Sequence, residues 1–574
     1  LTRGLSSSNL TVFKGSAWAG IFCALLACTL SVTSFGQNPT PISTPPILTP
    51  TPDTTPSAKV FDIPLKPMPS GERVGVRIDD PLPLTLGQAI EMALNNNNDI
   101  DASRNDSQIS EYVLQAAKGI YDPLVSSENY YESLTTPTAS SIGGAVNGAV
   151  TLKHLYGSAG VSGFSPYAGG SYSALFNTSR STTSNTNSFL NPSYPSSLEF
   201  NFTQPLWRNR SIDNNRRTIE IAKKNIDLSD EQLKQRAINI VWGVEQAYWD
   251  LTFALRNLQM QIESLKVARE QLESNKRLVD KGVIAPIQVV AAEAQISNYE
   301  QLVYQAQESI TRAENVLKPM ILPDRTSPEW SRPLTPITPV EMEVPTVGLE
   351  IAQAEALKNR PEIAQLDTSA EINRIDQRYF RNQTKPQIDL VSSYTAQGLA
   401  GSETPAAIDP ITGMSRVPPN LVGGFFTSLG NLAGLNYPSY HVGVNISFPV
   451  GNRTAKANLG RSLVEAEKIE NNLAQAEQVI EAEVRNAIQA LRSAKARLVS
   501  AHDATIAAQE LYDSEQRQFR NGTTIFYLVL QRQTDLTIAR ARELQSRTDL
   551  NKAISEFERS IGNTLAVNNV TVSR

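Results

Sequence analysis

The chain has 574 residues, room for several domains, with 19% charged residues and a formal net charge of −5. That balance supplies no basic face for nucleic acid. A hydrophobic content of 40% and a mean hydropathy of −0.26 are those of a water-soluble chain with a single continuously apolar stretch. The only cysteines, Cys23 and Cys28, lie in that stretch.

The apolar run Ala17 to Phe35 follows Arg3 and Lys14, so residues 1–36 are predicted to be a secretory signal. Ser34-Phe35-Gly36 offers small residues for cleavage before Gln37, which would leave a mature chain without disulfides. Leu25-Leu26-Ala27-Cys28 resembles a lipoprotein box and is the second reading, with Cys28 acylated; apolar character continuing past Cys28 favours the first. Residues 37–83, rich in Pro and Thr, read as an extended linker.

A first repeat is predicted over 84–318. It opens with a helix capped by Thr85 and running to about Lys118. The period then changes to two. Leu198, Phe200 and Phe202 alternate with Glu199, Asn201 and Thr203, and Val125 to Tyr131 is a weaker strand. Between them lies a Gly/Ser/Tyr/Asn-rich loop, 132–197, in which Val146 to His154 and Val161 to Phe176 suggest an extra hairpin at the outer mouth. A helix without proline follows from Ser211 to Val283, roughly 100 Å long at 1.5 Å per residue. Val241, Val244, Tyr248, Leu251, Leu255, Leu258, Ile262 and Leu265 step along it by threes and fours, a seam for lengthwise helix packing. Gly282 ends the helix, Pro286 opens the next, and that one runs to Leu317.

Residues 319–346 are proline-rich and read as a crossing strap between two copies of one pattern. In the second repeat, 347–562, Leu349, Ala352, Ala356, Leu357, Asn359, Ile363 and Pro386 repeat Leu86, Ala89, Ala93, Leu94, Asn96, Ile100 and Pro123 at an offset of 263. Its opening helix is predicted to reach about Asn382. Ile388 to Ser393 and Val442 to Phe448 are its strands. Val484, Leu491 and Leu498 repeat Val244, Leu251 and Leu258 at an offset of 240, and Gly522 repeats Gly282 at the same offset. One heptad run is an ordinary coiled coil, but two in one register, broken by glycine at the same point, make a tandem repeat. Residues 563–574 form a short polar tail.

Four strands in two separated pairs leave open edges. Export, apolar–polar alternation and long polar loops favour a membrane β-barrel, which four strands cannot close, so several chains must share it. No catalytic constellation is visible: His154, His441 and His502 fall in a loop, a strand and a coiled coil. The sequence reads as a conduit and not an enzyme, with no cofactor and no metal site. An exported coiled-coil scaffold or adhesin without a pore is the alternative.

Together these parts resemble the TolC family of outer-membrane efflux proteins. The resemblance rests on Ala247-Tyr248-Trp249-Asp250-Leu251, on Gln204-Pro205-Leu206, and on the two tips Arg277 to Ile287 and Arg517 to Tyr527 within the duplicated order from Leu84 to Gly562. It implies a mainly α protein with a transmembrane β part: a homotrimer with a 12-stranded barrel in outer-membrane lipid, a periplasmic helical tunnel, and an equatorial belt holding the strap. It also implies a periplasmic adaptor docking at Lys281, Gly282, Val283 and Ile284 and at Asn521, Gly522, Thr523 and Thr524, with an inner-membrane transporter supplying the energy. The chain departs from the family at the periplasmic gate. Members often carry an aspartate six residues after the second tip glycine, and some another three residues on. Here those positions are Leu528 and Gln531, and the first-half counterpart is Gln288. Asp535 lies one turn further and is the other candidate for an acidic ring.

Overall fold

The computed structural model describes residues 67–70, 72–139, 143–145, 147–340 and 343–572. The expected signal at 1–36, Cys28 and most of the Pro/Thr-rich linker lie outside them.

In chain order, a short strand β1 (Leu82–Leu84) leads into α1 (Leu86–Asn96) and α2 (Asn98–Lys118). Strands β2 (Leu124–Pro137), β3 (Ala149–Phe164), β4 (Ser171–Thr183) and β5 (Leu190–Pro205) follow. Then come the long hairpin α3 (Asn214–Asp280) and α4 (Ile287–Ile321), and the strap strand β6 (Leu334–Pro336). The second half repeats the plan with α5 (Leu349–Asn359), α6 (Pro361–Gln383), β7 (Gln387–Glu403), a short α7 (Phe425–Ala433) and β8 (Tyr437–Ser447). A second hairpin, α8 (Arg453–Arg520) and α9 (Phe526–Ser560), and a last turn α10 (Thr564–Val567) complete it.

The helical seam is where the heptads place it. Val241, Val244, Tyr248 and Leu251 in α3 are fully buried, as are Val484, Ala487, Leu491 and Ala494 in α8 to within a few per cent. Ile262 is an exception: it is exposed, and Gln261 takes the buried position beside it. The single opening helix expected in each half is two helices. Asn97 leaves the helical region and its side chain caps α2 by accepting from Asp99 N. Its amide, with that of Asn96, donates to the last carbonyls of α4, Met320 O at 3.2 Å and Ile321 O at 3.0 Å. In the second half Arg360 precedes Pro361 and is extended (ψ 125°), because the proline ring crowds a helical conformation at the residue before it. Thr85 caps α1 in a reciprocal pair with Gln88.

Halfway along the bundle, α1, α3, α4, the strap and α10 meet in one core containing Leu84, Trp249, Leu317, Ile321, Leu334 and Leu565. β1 and β6 pair in parallel there. Tyr248 is the hub: its hydroxyl donates to Leu84 O at 2.9 Å and accepts from Thr338 N at 3.1 Å. The strap is tied down by a buried charge cluster, in which Glu314 meets Arg73 at 2.9 Å and accepts from Leu334 N, while Lys318 Nζ donates to Trp330 O. Burial holds Lys318 below its ordinary value.

Nearby, burial first and the carboxylate of Glu245 second push Glu558 of α9 up to about 7. The folded chain therefore holds that proton more tightly than the unfolded chain, and this group's cost to stability grows as pH rises from about 4.5 to about 7. Glu558→Gln is expected to raise the unfolding temperature at pH 8 and leave it unchanged at pH 4.5, read by scanning calorimetry; equal shifts at both values would deny the raised pKa.

Candidate functional site

Six strands form one antiparallel sheet in the order β2-β3-β4-β5-β7-β8. The sequence led to four. The first repeat contributes four strands and the second two, because β3 and β4 are inserted between β2 and β5 within the sheet; the hairpin expected at the outer mouth from Val146 to His154 and Val161 to Phe176 has instead its turn at 165–170, inside the second of those stretches. Register separates the faces in the part of the sheet nearer the helices, while further along the row Asn129, Gly157, Thr178, Ser196 and Gly398 brings polar residues onto the otherwise apolar face. One row reads Val125, Val161, Ala174, Phe200, Tyr394 and Tyr440 across all six strands, and the next Ser127, Ala159, Phe176, Leu198, Ala396 and Pro438. On the opposite face the corresponding row is Leu124, Ser162, Ser173, Asn201, Ser393 and His441, five of them polar. Phe200, Phe202, Tyr440, Val442, Val444 and Ile446 are exposed on the apolar face. That face is bare around Phe200 and Val442 and is covered further along by α7, where Ser196 meets Ser428 at 2.8 Å; the bare apolar band, on a sheet whose other side is polar there, suits a lipid boundary with water behind it.

The far ends of the hairpins carry the tip residues. Lys281 and Asn521 are the C-caps of α3 and α8, and Gly282 and Gly522 follow with φ of +70° and +74°. Both ends close in the same motif: Val283 N donates to Leu278 O and Gly282 N to Val279 O, matched by Thr523 N to Gln518 O and Gly522 N to Phe519 O. The left-handed conformation selects glycine here, and a Cβ on either would touch nothing within 4 Å. Between them the tips expose Val283, Ile287, Val290, Ile525 and Tyr527, a run of apolar side chains facing solvent. Ile284 and Thr524 are half-buried, Thr524 by donating to Glu515.

The two hairpins meet just above the tips, where Phe526, Val529 and Leu530 of α9 pack on Leu265, Leu272, Ile296 and Tyr299. That packing turns the opposite face of α9 outward. Gln531 and Asp535 lie exposed on it with Tyr527, and Leu528 is half-buried at its margin. Asp535 is paired with Arg532 at 3.3 Å on the same helix. Gln288 of α4 is half-buried, with its amide oxygen unpaired. Sequence reasoning missed Tyr527 and Arg532; the four-residue step from Tyr527 to Gln531 to Asp535 was the signal for the first.

The three histidines do not converge. His154 meets Ser181 in the sheet at 2.7 Å, His441 lies in β8, and His502 pairs with Glu543 on the helices at 3.0 Å. Among the described residues no helix is long and apolar enough to cross a membrane.

The fold is that of solved outer-membrane channels. Against OprN the TM-score is 0.58 at 16% identity, covering 88% of this chain and 98% of that one. Against CusC, whose structures follow folding and transmembrane channel formation, it is 0.59 at 14% identity, covering 83% and 92%. The CmeC outer membrane channel of Campylobacter jejuni gives 0.57 at 13% identity, covering 83% and 86%. No curated protein matches the chain in sequence. The profile of the outer membrane efflux protein family matches residues 171–321 and 353–563, which is more than half of the chain. With both long hairpins and strands β4, β5, β7 and β8 inside those matches, the chain belongs to the outer membrane efflux protein family.

Proposed function

We propose that three copies of this outer-membrane channel close one barrel and stand as the exit duct of a tripartite efflux or type I secretion system. An inner-membrane transporter supplies the energy, a periplasmic adaptor holds the tips, and the chain itself does no chemistry. The observation that carries this reading is the sheet: an exposed apolar band on one face with polar residues behind it, and β2 and β8 at its open edges, exposed along their length except Gly443. An unpaired strand edge in lipid costs several kcal/mol per backbone group, so the edges must meet other copies of themselves. Exposed apolar residues along α8, among them Val479, Val499 and Ile506, suit helix contacts between copies.

Detergent-extracted protein is expected to be trimeric by native mass spectrometry and to stay with the membrane in carbonate. A folded monomer, or release into carbonate as a pore-free scaffold would show, overturns the reading.

At the gate, Leu528, Gln531 and Gln288 would surround the axis with an apolar and amide-lined constriction, and Asp535 with its Arg532 partner would add little net charge. Amides and leucines do not titrate near neutral pH. Planar-bilayer recordings should therefore show little cation selectivity and no pH-dependent block by a trivalent cation added on the periplasmic side. Strong block relieved by acid and by Asp535→Asn would make Asp535 the gate instead.

A further inference from the structure

We infer that the barrel has eighteen strands, six from each copy, and that the β3–β4 hairpin widens the outlet by half while the number of helices below it stays the same. This rests on the trimeric reading above and adds the size of the exit to it.

The hairpin is part of the wall. β2 pairs with β3 along its whole length, from Leu124 opposite Ser162 to Pro137 opposite Ala149. β3 pairs with β4 from Leu152 opposite Thr183 to Phe164 opposite Ser171, and β4 with β5 from Ser171 opposite Thr203 to Ser181 opposite Ser193. β2 and β5, which a four-strand sheet would place side by side, are separated by the width of two strands. The rows through Val125 and Ser127 continue across β3 and β4 as Val161 with Ala174 and Ala159 with Phe176, so at that level the hairpin carries the same lipid-facing and water-facing sides as its neighbours.

Its lower turn is anchored where the sheet meets the helices. Gln204 Nε2 donates to Ala168 O at 2.8 Å, and a Cβ on Gly169 would come within 2.7 Å of Asn209 O and Asp213 Oδ2 at the start of α3. A hairpin seated on that joint spans the sheet from bottom to top. The family profile, which takes up the second repeat within α5, takes up the first only at Ser171, the first residue of β4.

Each open edge takes a second copy of this chain. Six strands is an even number, so β2 of one copy runs antiparallel to β8 of the next, as closure of an all-antiparallel barrel requires. Val125 and Tyr131 on β2 share the lipid side with Tyr440, Val442, Val444 and Ile446 on β8, and Ser126 and Glu128 share the water side with His441 and Asn445. With strands about 4.8 Å apart and tilted about 40°, eighteen of them enclose a backbone cylinder roughly 35 Å across, against about 24 Å for twelve. Barrels of that strand number hold an open aqueous channel. The outlet then does not limit passage, and selection falls to the helical entrance.

Cryo-electron microscopy of the full chain in lipid nanodiscs tests this directly. A threefold ring of eighteen strands is expected. A threefold ring of twelve, with β3 and β4 outside it, overturns the inference and leaves the trimer standing; isolated six-stranded sheets overturn the trimeric reading as well. A second arm works in the native membrane. Ser127→Cys with Ala159→Cys, and Phe176→Cys with Leu198→Cys, should form disulfides within one chain. Val125→Cys or Ser127→Cys should form none with cysteines placed along Leu198 to Phe202. Ready cross-links between β2 and β5 would place the hairpin outside the wall. Excising residues 149–183 should lower the size of polyethylene glycol that enters from the outer face in planar bilayers; an unchanged size limit would deny the hairpin a place in the wall.

Discussion

Phe202→Asp and Val444→Asp are each expected to deplete the assembled channel from the outer membrane, while Ser393→Asp leaves it in place. Phe202 and Val444 are exposed on the apolar face, and Ser393 sits on the polar face between Asn201 and His441. A carboxylate forced toward the middle of the hydrocarbon costs about 2 kcal/mol, and the proposed symmetry sets three into each barrel. The sum is comparable to the whole stability of many folded domains, about 5–15 kcal/mol. Ser393 is the better control on the water side than Asn201, whose amide donates to Glu199 at 2.8 Å and whose replacement by Asp would set two carboxylates together. The readout is the amount of heat-resistant trimer in outer-membrane fractions. Equal loss from both classes would mean that the faces of the sheet are assigned the wrong way round.

Gly282→Val and Gly522→Val are expected to leave trimers in the outer membrane at near-normal amounts and to abolish export. Both glycines are left-handed at a helix end, where a β-branched residue is strained by about 1–3 kcal/mol, and both are far from the sheet and from the cores that hold the bundle. Because a Cβ at either site would meet open space, the penalty is local: the cap shifts and the apolar tip residues beside it, Val283 and Ile525, move with it. The proposed adaptor reads that backbone and those side chains. Normal export by both variants, measured as accumulation of an effluxed dye in living cells, would remove the tips from the docking surface. Loss of trimer would place the glycines in assembly instead.

The sequence by itself determined the two long helical hairpins and the points where they turn. A seam from Val241 to Leu265 gives a helix of 67 residues one face to bury, and Gly282 and Gly522 stop the long helices because the left-handed conformation that follows favours glycine. The capping pair at Thr85 and the alternation through Phe202 and Val444 are equally local, being set by neighbours a few residues apart. Even where local signals were present, the opening helix of the second half was read through Arg360-Pro361, whose break the proline dictates. Asn97 differs: its break is completed by amides reaching the end of α4, more than 200 residues away in sequence.

Only the tertiary structure decided the order of the sheet. In β3 and β4 the face that continues Asn201 carries Leu152, Tyr156 and Leu175 among its Ser and Asn, and the face that continues Phe200 carries Gly157 and Thr178 beside Val161 and Phe176, so the period of two has little amplitude. What holds these strands is pairing with β2 and β5, and a backbone ladder is indifferent to side chains except through the faces they present. The gate shows the same division. Sequence spacing placed Leu528, Gln531 and Asp535 on one helix, but which of them face outward depends on how α9 is rotated, and that rotation is set by Phe526, Val529 and Leu530 packing against the other hairpin. Local chemistry fixes where an element begins and ends; its neighbours, distant in the chain, fix which side of it meets water, lipid or another copy.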